Sequence, residues 1–233
     1  PKPLCGIAEN YKQFGIIDTT NVSSNSYPPE AIEFIERGDY ILDCGSGFPS
    51  VYYDNVVNLE VADYITTDIL SVGETLPFDD NTFDSVFSFA VLEHVKHPYQ
   101  CAHEMARVLK PSGTLLFGAV FMQPYHGYPH HYFNMTPSGG RALIEDLLNI
   151  ESQTVPKWLH PVRSLPPIIK RWANGLPENT REEFLDMPLR AFAETTTAFD
   201  SEPFVSELSE DMKMQIAAGT FIIATKPPKP EGD

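Results

Sequence analysis

Three histidines crowd into one short stretch, Gln123-Pro124-Tyr125-His126-Gly127-Tyr128-Pro129-His130-His131-Tyr132-Phe133. An imidazole whose intrinsic pKa is about 6.5 can accept a proton from a hydroxyl or an amine at neutral pH. His126, His130 and His131 are therefore candidate catalytic bases, with His126 and His130 the first choices. The interleaved Tyr125, Tyr128 and Tyr132 are candidate substrate contacts that would also keep water out. The plainer alternative is a rigid Pro- and Tyr-rich lid whose histidines bond only to backbone. Clustered imidazoles also bind metals, and Glu93 or His94 could complete such a set. The prolines, however, preclude a helical i, i+4 pair, and no metal is assigned.

A second chemical signal is Ile41-Leu42-Asp43-Cys44-Gly45-Ser46-Gly47, an apolar run entering a turn with two glycines spaced by one. Glycine permits positive φ and lets a ligand approach where a Cβ would collide, while Asp43 can brace the loop or accept from a ligand amine. Phe48 and Pro49 stand where a dinucleotide loop carries its third glycine, so a nucleoside without phosphates is the better match. Glu60, 17 positions after Asp43, ends the next apolar run, where a carboxylate can accept both hydroxyls of a ribose. Asp68 is a further acid at a strand end and a candidate partner for an exocyclic amine. For each acid the plain alternative is a solvated strand terminus.

Elements of alternating type must position these groups. Tyr40 to Asp43, Val56 to Glu60, Tyr64 to Thr67, Ser85 to Phe89 and Thr114 to Phe121 read as strands, and Pro98 to Leu109 as a helix. A short helix over Glu30 to Glu36, closed by Gly38, leads in. Strands alternating with helices imply an α/β fold with a parallel sheet covered on both faces. One connection resists this pattern, because Val61 to Asp63 is too short for a crossover between parallel neighbours. Beyond Ile150, strands at Ile150 to Val155 and Gly219 to Thr225 bracket a Pro- and Glu-rich stretch. Helical spacing there runs over Thr180 to Phe199, with an apolar stripe of Phe184, Leu189 and Phe192. The organisation expected is one domain: a lead-in over 1–38, a core over 39–155, a helical insertion over 156–213, a last strand over 214–225 and a disordered tail over 226–233.

Composition narrows the partners. The chain has 233 residues and a formal charge of -16, which repels nucleic-acid phosphates and anionic lipid. The longest mainly apolar run, Thr114 to Met122, is nine positions long, against the roughly 20 a spanning helix needs. Neither nucleic acid nor membrane is expected as a partner. Cys5, Cys44 and Cys101 cannot all pair and lack metal-ligand spacing, which suits reduced thiols and a cytoplasmic location. The sequence begins at Pro1 rather than Met, so an upstream targeting segment is compatible with it.

Taken together, these residues resemble the class I S-adenosylmethionine-dependent methyltransferases, in their broad small-molecule (type 11) branch. The resemblance rests on Ile41 to Gly47, on Leu76-Pro77-Phe78-Asp79-Asp80-Asn81-Thr82-Phe83-Asp84 leading into Val86 to Phe89, on Val91-Leu92-Glu93-His94-Val95, and on Met105 to Gly113 before Thr114 to Phe117. It implies a Rossmann-like, mostly parallel seven-stranded sheet with an antiparallel last strand, Gly219 to Thr225. It also implies S-adenosyl-L-methionine as cofactor. By position, Asp43, Gly45 and Gly47 would hold its methionine moiety and ribose, Glu60 the ribose diol, Asp68 with Ile69 the adenine, and Phe89 with Ala90 the methionine end. Some similar ubiquinone-pathway O-methyltransferases use two glutamates and a histidine after the fourth strand. Glu93 and His94 match the later pair, and Ala90 occupies the first position.

Methyl transfer from a sulfonium asks mainly for alignment and exclusion of water, and a base only where the acceptor carries a proton. The expected activity is O-methylation of a small hydroxyl acceptor, with Glu93, His94, Tyr125, Tyr128 and Tyr132 touching it. A similar Pro-Tyr-His-x-Tyr-Pro-His run in methyltransferases associated with glycan assembly nominates a sugar or natural-product hydroxyl. The alternatives left open are N- or C-methylation, a noncatalytic S-adenosylmethionine-binding protein, and an enzyme of this fold running a different reaction. A homodimer through the insertion is a further expectation.

Overall fold

The computed structural model describes residues 6–7, 24–127, 130–160, 163–189, 191, 202–210 and 212. The chain forms two compact units, one of Pro1–Met122 with His126–Pro161 and the other of Gln123–Tyr125 with Val162–Asp233.

The first unit is built on a sheet of strands β1 (Gly6–Ile7), β3 (Ile41–Cys44), β5 (Val56–Glu60), β6 (Ile69–Leu70), β7 (Phe83–Phe89) and β8 (Leu109–Gly118), in the order β1-β6-β5-β3-β7-β8. Every pairing in it is parallel. A two-residue ladder, β2 (Ser24–Asn25) on β4 (Phe48–Pro49), stands apart. Alternation along the central strands sorts side chains to two faces. Leu42, Cys44, Leu59 and Val86 face Met105 and Val108 of helix α2 (Pro98–Val108). Ile41, Val56 and Phe87 face Ala31 and Ile35 of helix α1 (Pro29–Glu36). β3 is buried along its whole length, as a strand covered on both faces must be, and each large apolar side chain so placed contributes about 1.5–3 kcal/mol. Both helices open with Pro at their first position, where the missing N–H costs no intrahelical bond. This is the covered parallel α/β sheet that alternating elements predict, and it is consistent with the Rossmann-like sheet that the resemblance implies. The strand expected at 219–225 lies outside the described residues.

The second unit packs helices α4 (Leu165–Asn174), α5 (Glu178–Leu185) and α6 (Pro203–Ser206) around Ala173, Leu176, Phe184, Phe204 and Leu208. A short helix α3 (Pro137–Ala142) belongs to the first unit. No helix among the described residues is long and apolar enough to cross a membrane.

Several sequence expectations are corrected. Tyr64 to Thr67 is a closed turn, in which the Thr67 hydroxyl accepts from the Tyr64 N–H and donates to the Ala62 carbonyl. The strand is Ile69–Leu70, so the connection from β5 has eight residues rather than three. Ile150 to Val155 forms no strand, and Val155 is 68% exposed. Of the stripe expected in the insertion, Phe184 is buried and Leu189 is 75% exposed; Phe192 lies outside the described residues.

Candidate functional site

Sheet order reverses between β3 and β7, whose neighbours run outward in opposite directions, and ligands of open α/β sheets bind beyond the carboxyl ends of strands at such a point. The turn after β3 hooks over β5, with the Gly45 and Ser46 N–H groups both donating to the Leu59 carbonyl. Gly45 has φ +88° and Gly47 φ +58°, conformations that L side chains rarely adopt. A Cβ at Gly45 would fall 2.6 Å from both methyls of Val91. The glycine there serves close packing of this turn on the segment after β7, where the sequence suggests room for a ligand. Glu60 is engaged within the protein as well. Its carboxylate accepts from the Gly47 N–H at 2.8 Å and from Val61 and Ala62 at 2.7 and 3.3 Å. Burial raises its pKa against those three bonds.

Asp43 projects to the α1 side of the sheet and is 1% exposed. One oxygen, Oδ2, accepts from the Tyr27 hydroxyl at 2.8 Å and from Asn25 at 3.4 Å; the other, Oδ1, is buried without a hydrogen-bond partner. Burial pushes the carboxyl up to about 7, Tyr27 opposing and the nearby Glu60 adding to the rise. A buried acceptor left unmade costs about 1–3 kcal/mol, so this atom is where a donor from a ligand would be rewarded. Asp68 offers nothing comparable. Its two oxygens accept from the Tyr52 hydroxyl and the Asn58 N–H, both at 2.9 Å, and it clamps β5 to the start of β6. Ile69 is half-buried and pairs with Gly6 and Leu59.

At the end of β7 the chain turns through Ala90 at φ +54°, a left-handed conformation costing a non-glycine residue about 1–3 kcal/mol, with its N–H held by the Gly118 carbonyl. Trp158 lies edge-on to Phe89 at 5.8 Å, and a Cβ at Gly118 would meet it at 2.5 Å. The carboxyl ends of β7 and β8 are thus roofed by an indole.

The imidazoles gather around a single-turn helix, Leu92–His94. The Glu93 carbonyl accepts from the Tyr132 and Phe133 N–H groups at 2.6 and 3.2 Å, which ties the histidine loop to this turn. His94 Nδ1 lies 2.7 Å from the His130 carbonyl and Nε2 lies 3.9 Å from Glu93 Oε1. Burial drives Glu93 up to about 7 and His94 down, so the pair leans toward neutral acid and neutral imidazole rather than an ion pair. Oε1 of Glu93 is buried with no hydrogen-bond partner. The His126 ring stands 5.1 Å from His94 and 4.4 Å from His131. His131 Nδ1 accepts from the His126 N–H at 3.0 Å, which puts its proton on Nε2, donating to Asn134 at 2.8 Å.

His126 therefore joins Glu93 and His94, whereas His131 braces the loop. His130, a first choice by sequence, stands apart from this group: its carbonyl faces His94, while its exposed ring leans on Tyr132 at 5.3 Å. Tyr132 is 40% exposed, Tyr125 lies in the second unit, and Tyr128 lies outside the described residues. Sequence reasoning missed Asn25 and Tyr27 on Asp43, and Asn134 on His131. The first two precede helix α1 in a polar stretch without periodicity, so nothing local marks them.

Gly127 makes the loop possible. It has φ +140°, and a Cβ would stand 2.7 Å from the His130 carbonyl oxygen and 3.1 Å from His94 Nδ1. Gly127→Ala is expected to lower stability by about 1–3 kcal/mol, read by thermal unfolding, and to reduce activity with it. Unchanged unfolding and activity would mean the loop does not close on His94.

Residues 42–117 match the model of a methyltransferase domain family. A ubiquinone/menaquinone biosynthesis C-methyltransferase, UbiE, of Neisseria meningitidis serogroup A is 30% identical over 125 residues, 52% of this chain and 50% of that protein. An uncharacterized methyltransferase of Mycobacteroides abscessus is 31% identical over 131 residues, 46% of this chain and 49% of that protein. The solved PH0226 protein of Pyrococcus horikoshii aligns with a TM-score of 0.40 at 16% identity, over 55% of this chain and 82% of that one. The chain spans about half the length of the curated relatives it matches.

Proposed function

We propose that this chain, whose residues 42–117 match a methyltransferase domain family, is a class I S-adenosylmethionine-dependent methyltransferase that transfers a methyl group to a small acceptor carrying an acidic O–H. The observation that supports it most is the unsatisfied Oδ1 of Asp43 at the switch point of the sheet. S-adenosylmethionine supplies an electrophilic methyl and a cationic ammonium. Asp43 would accept from the ammonium or a ribose hydroxyl, and Glu60 would act through the Gly47 backbone it fixes as well as through its remaining lone pairs. Phe89 and Ala90 would line the methionine end.

The acceptor side belongs to Glu93, His94 and His126, which gather where the methyl would emerge from the carboxyl ends of the strands. Their work is to hold the acceptor oxygen in line and to favour loss of its proton, while Trp158 keeps water from the strand ends. Orientation of this kind contributes up to about 7–11 kcal/mol to a displacement. A hydroxyl acceptor is the finer part of the proposal. The relatives named C-methyltransferases favour carbon, and a phenol or enol reconciles the two, because losing its proton activates both the oxygen and the conjugated carbon.

The test is incubation with methyl-labelled donor and a panel of phenols, enols, sugars and amines. Release of S-adenosylhomocysteine with label on an O–H acceptor or its adjacent carbon is expected, the labelled atom being read by NMR. A donor that binds yet is never consumed by any of these would sink the proposal.

A further inference from the structure

We propose that Glu93, His94 and His126 form a binding site for a divalent transition metal of the zinc class. One ligand atom from each of the three lies within 4.8 Å of the other two. Within this group the His94 imidazole and the Glu93 carboxyl each turn an acceptor atom toward the other. The His130 carbonyl can only accept, so His94 Nδ1, 2.7 Å away, carries the ring proton and Nε2 presents a lone pair. That lone pair lies 3.9 Å from Oε1 of Glu93, an oxygen that is buried and has no hydrogen-bond partner. The separation exceeds hydrogen-bond range, so a proton on either atom does not bridge them. A metal ion does. Tetrahedral zinc with bonds of about 2.0–2.1 Å sets its ligands about 3.4 Å apart, which the pair reaches by closing roughly half an ångström.

The surroundings are those of a ligand set held before the ion arrives. A metal-binding histidine ordinarily donates its other ring N–H to a carbonyl or carboxylate, which fixes its tautomer, and His94 does this on His130. Glu93 is fixed from the main-chain side by the Tyr132 and Phe133 N–H groups on its carbonyl. His126 is delivered by a loop whose glycine admits the close approach to His94. His131 is excluded as a ligand, because its Nδ1 lone pair is taken by the His126 N–H and its Nε2 proton by Asn134. Two imidazoles and one carboxylate make three protein ligands, the number that leaves a coordination position open for water or an oxygen ligand. The existence of the site does not rest on the methyl-transfer reading; only its use, holding an acceptor oxygen at the open position, does.

The test uses the full chain stripped with a chelator and titrated with Zn²⁺ by calorimetry, and with Co²⁺ by visible absorption. One Zn²⁺ per chain is expected. His126→Ala and Glu93→Gln should each weaken it at least 10- to 100-fold, while His103→Ala, an exposed residue of α2, leaves it unchanged. The Co²⁺ spectrum should lack thiolate charge-transfer intensity, since Cys44 and Cys101 take no part. Absence of saturable binding below about 100 μM, binding that survives both variants, or a thiolate band would each overturn the proposal. Thermal unfolding and S-adenosylhomocysteine binding, measured on every variant, check the fold; should His126→Ala fail to fold, Glu93→Gln carries the comparison. A chain that binds S-adenosylhomocysteine without Zn²⁺ overturns the metal site alone, and one that binds Zn²⁺ without the nucleoside overturns the methyl-transfer reading alone.

Discussion

Asp43→Asn is expected to weaken S-adenosylhomocysteine binding about 10- to 100-fold at pH 8, the loss of a hydrogen bond to a charged group of about 1.5–3 kcal/mol, measured by calorimetry. Asn preserves the shape and can still pair with the Tyr27 hydroxyl, so the change isolates the charge. The wild type should show an affinity that rises with pH through about 7, where Asp43 loses its proton, because the ionised carboxylate is the better partner for the ammonium group. The variant should lose this dependence. Stability of the free protein runs in the opposite sense. A carboxyl whose folded pKa is raised holds its proton longer when folded, so its contribution is full below about 4, declines as pH climbs to about 7, and is constant above; the span is on the order of 4 kcal/mol. Equal affinity of wild type and variant at pH 8 would remove Asp43 from the binding site.

His126→Ala is expected to lower the rate of methyl transfer by about 10²- to 10⁴-fold, the range for a positioned acid–base group, with donor affinity unchanged. His130→Ala should stay within about twofold of wild type, since the ring at that position is exposed and only the carbonyl is used. The comparison requires turnover with an accepted substrate and a separate donor titration. Equal loss in the two variants, or loss of donor affinity in His126→Ala, would return the loop to a structural role.

Strands at 56–60 and around 41–44 and 83–89, and helices over 29–36 and 98–108, are legible in the sequence because continuous apolar runs and apolar faces at helical spacing are what burial between layers requires. Tyr64 to Thr67 misleads for the same reason: a β-rich run of four looks like a strand, and only the hydroxyl of Thr67, bonded within the run, shows that it closes on itself. Ile150 to Val155 misleads likewise, having Ile, Thr and Val in a short run that pairs with no strand among the described residues.

Residue types and their spacing are enough to say which chemistry is available: carboxylates at the ends of central strands, paired glycines after β3, and imidazoles after β8, in an order that only a parallel sheet brings to one edge. Which atoms remain open is settled by the folded arrangement alone. Hydrogen bonding is local, directional and saturable, so a side chain's availability depends on neighbours far along the chain. Tyr27 and Asn25 leave Asp43 one bare oxygen, Tyr52 and Asn58 leave Asp68 none, and a backbone carbonyl at 130 turns the lone pair of His94 toward Glu93.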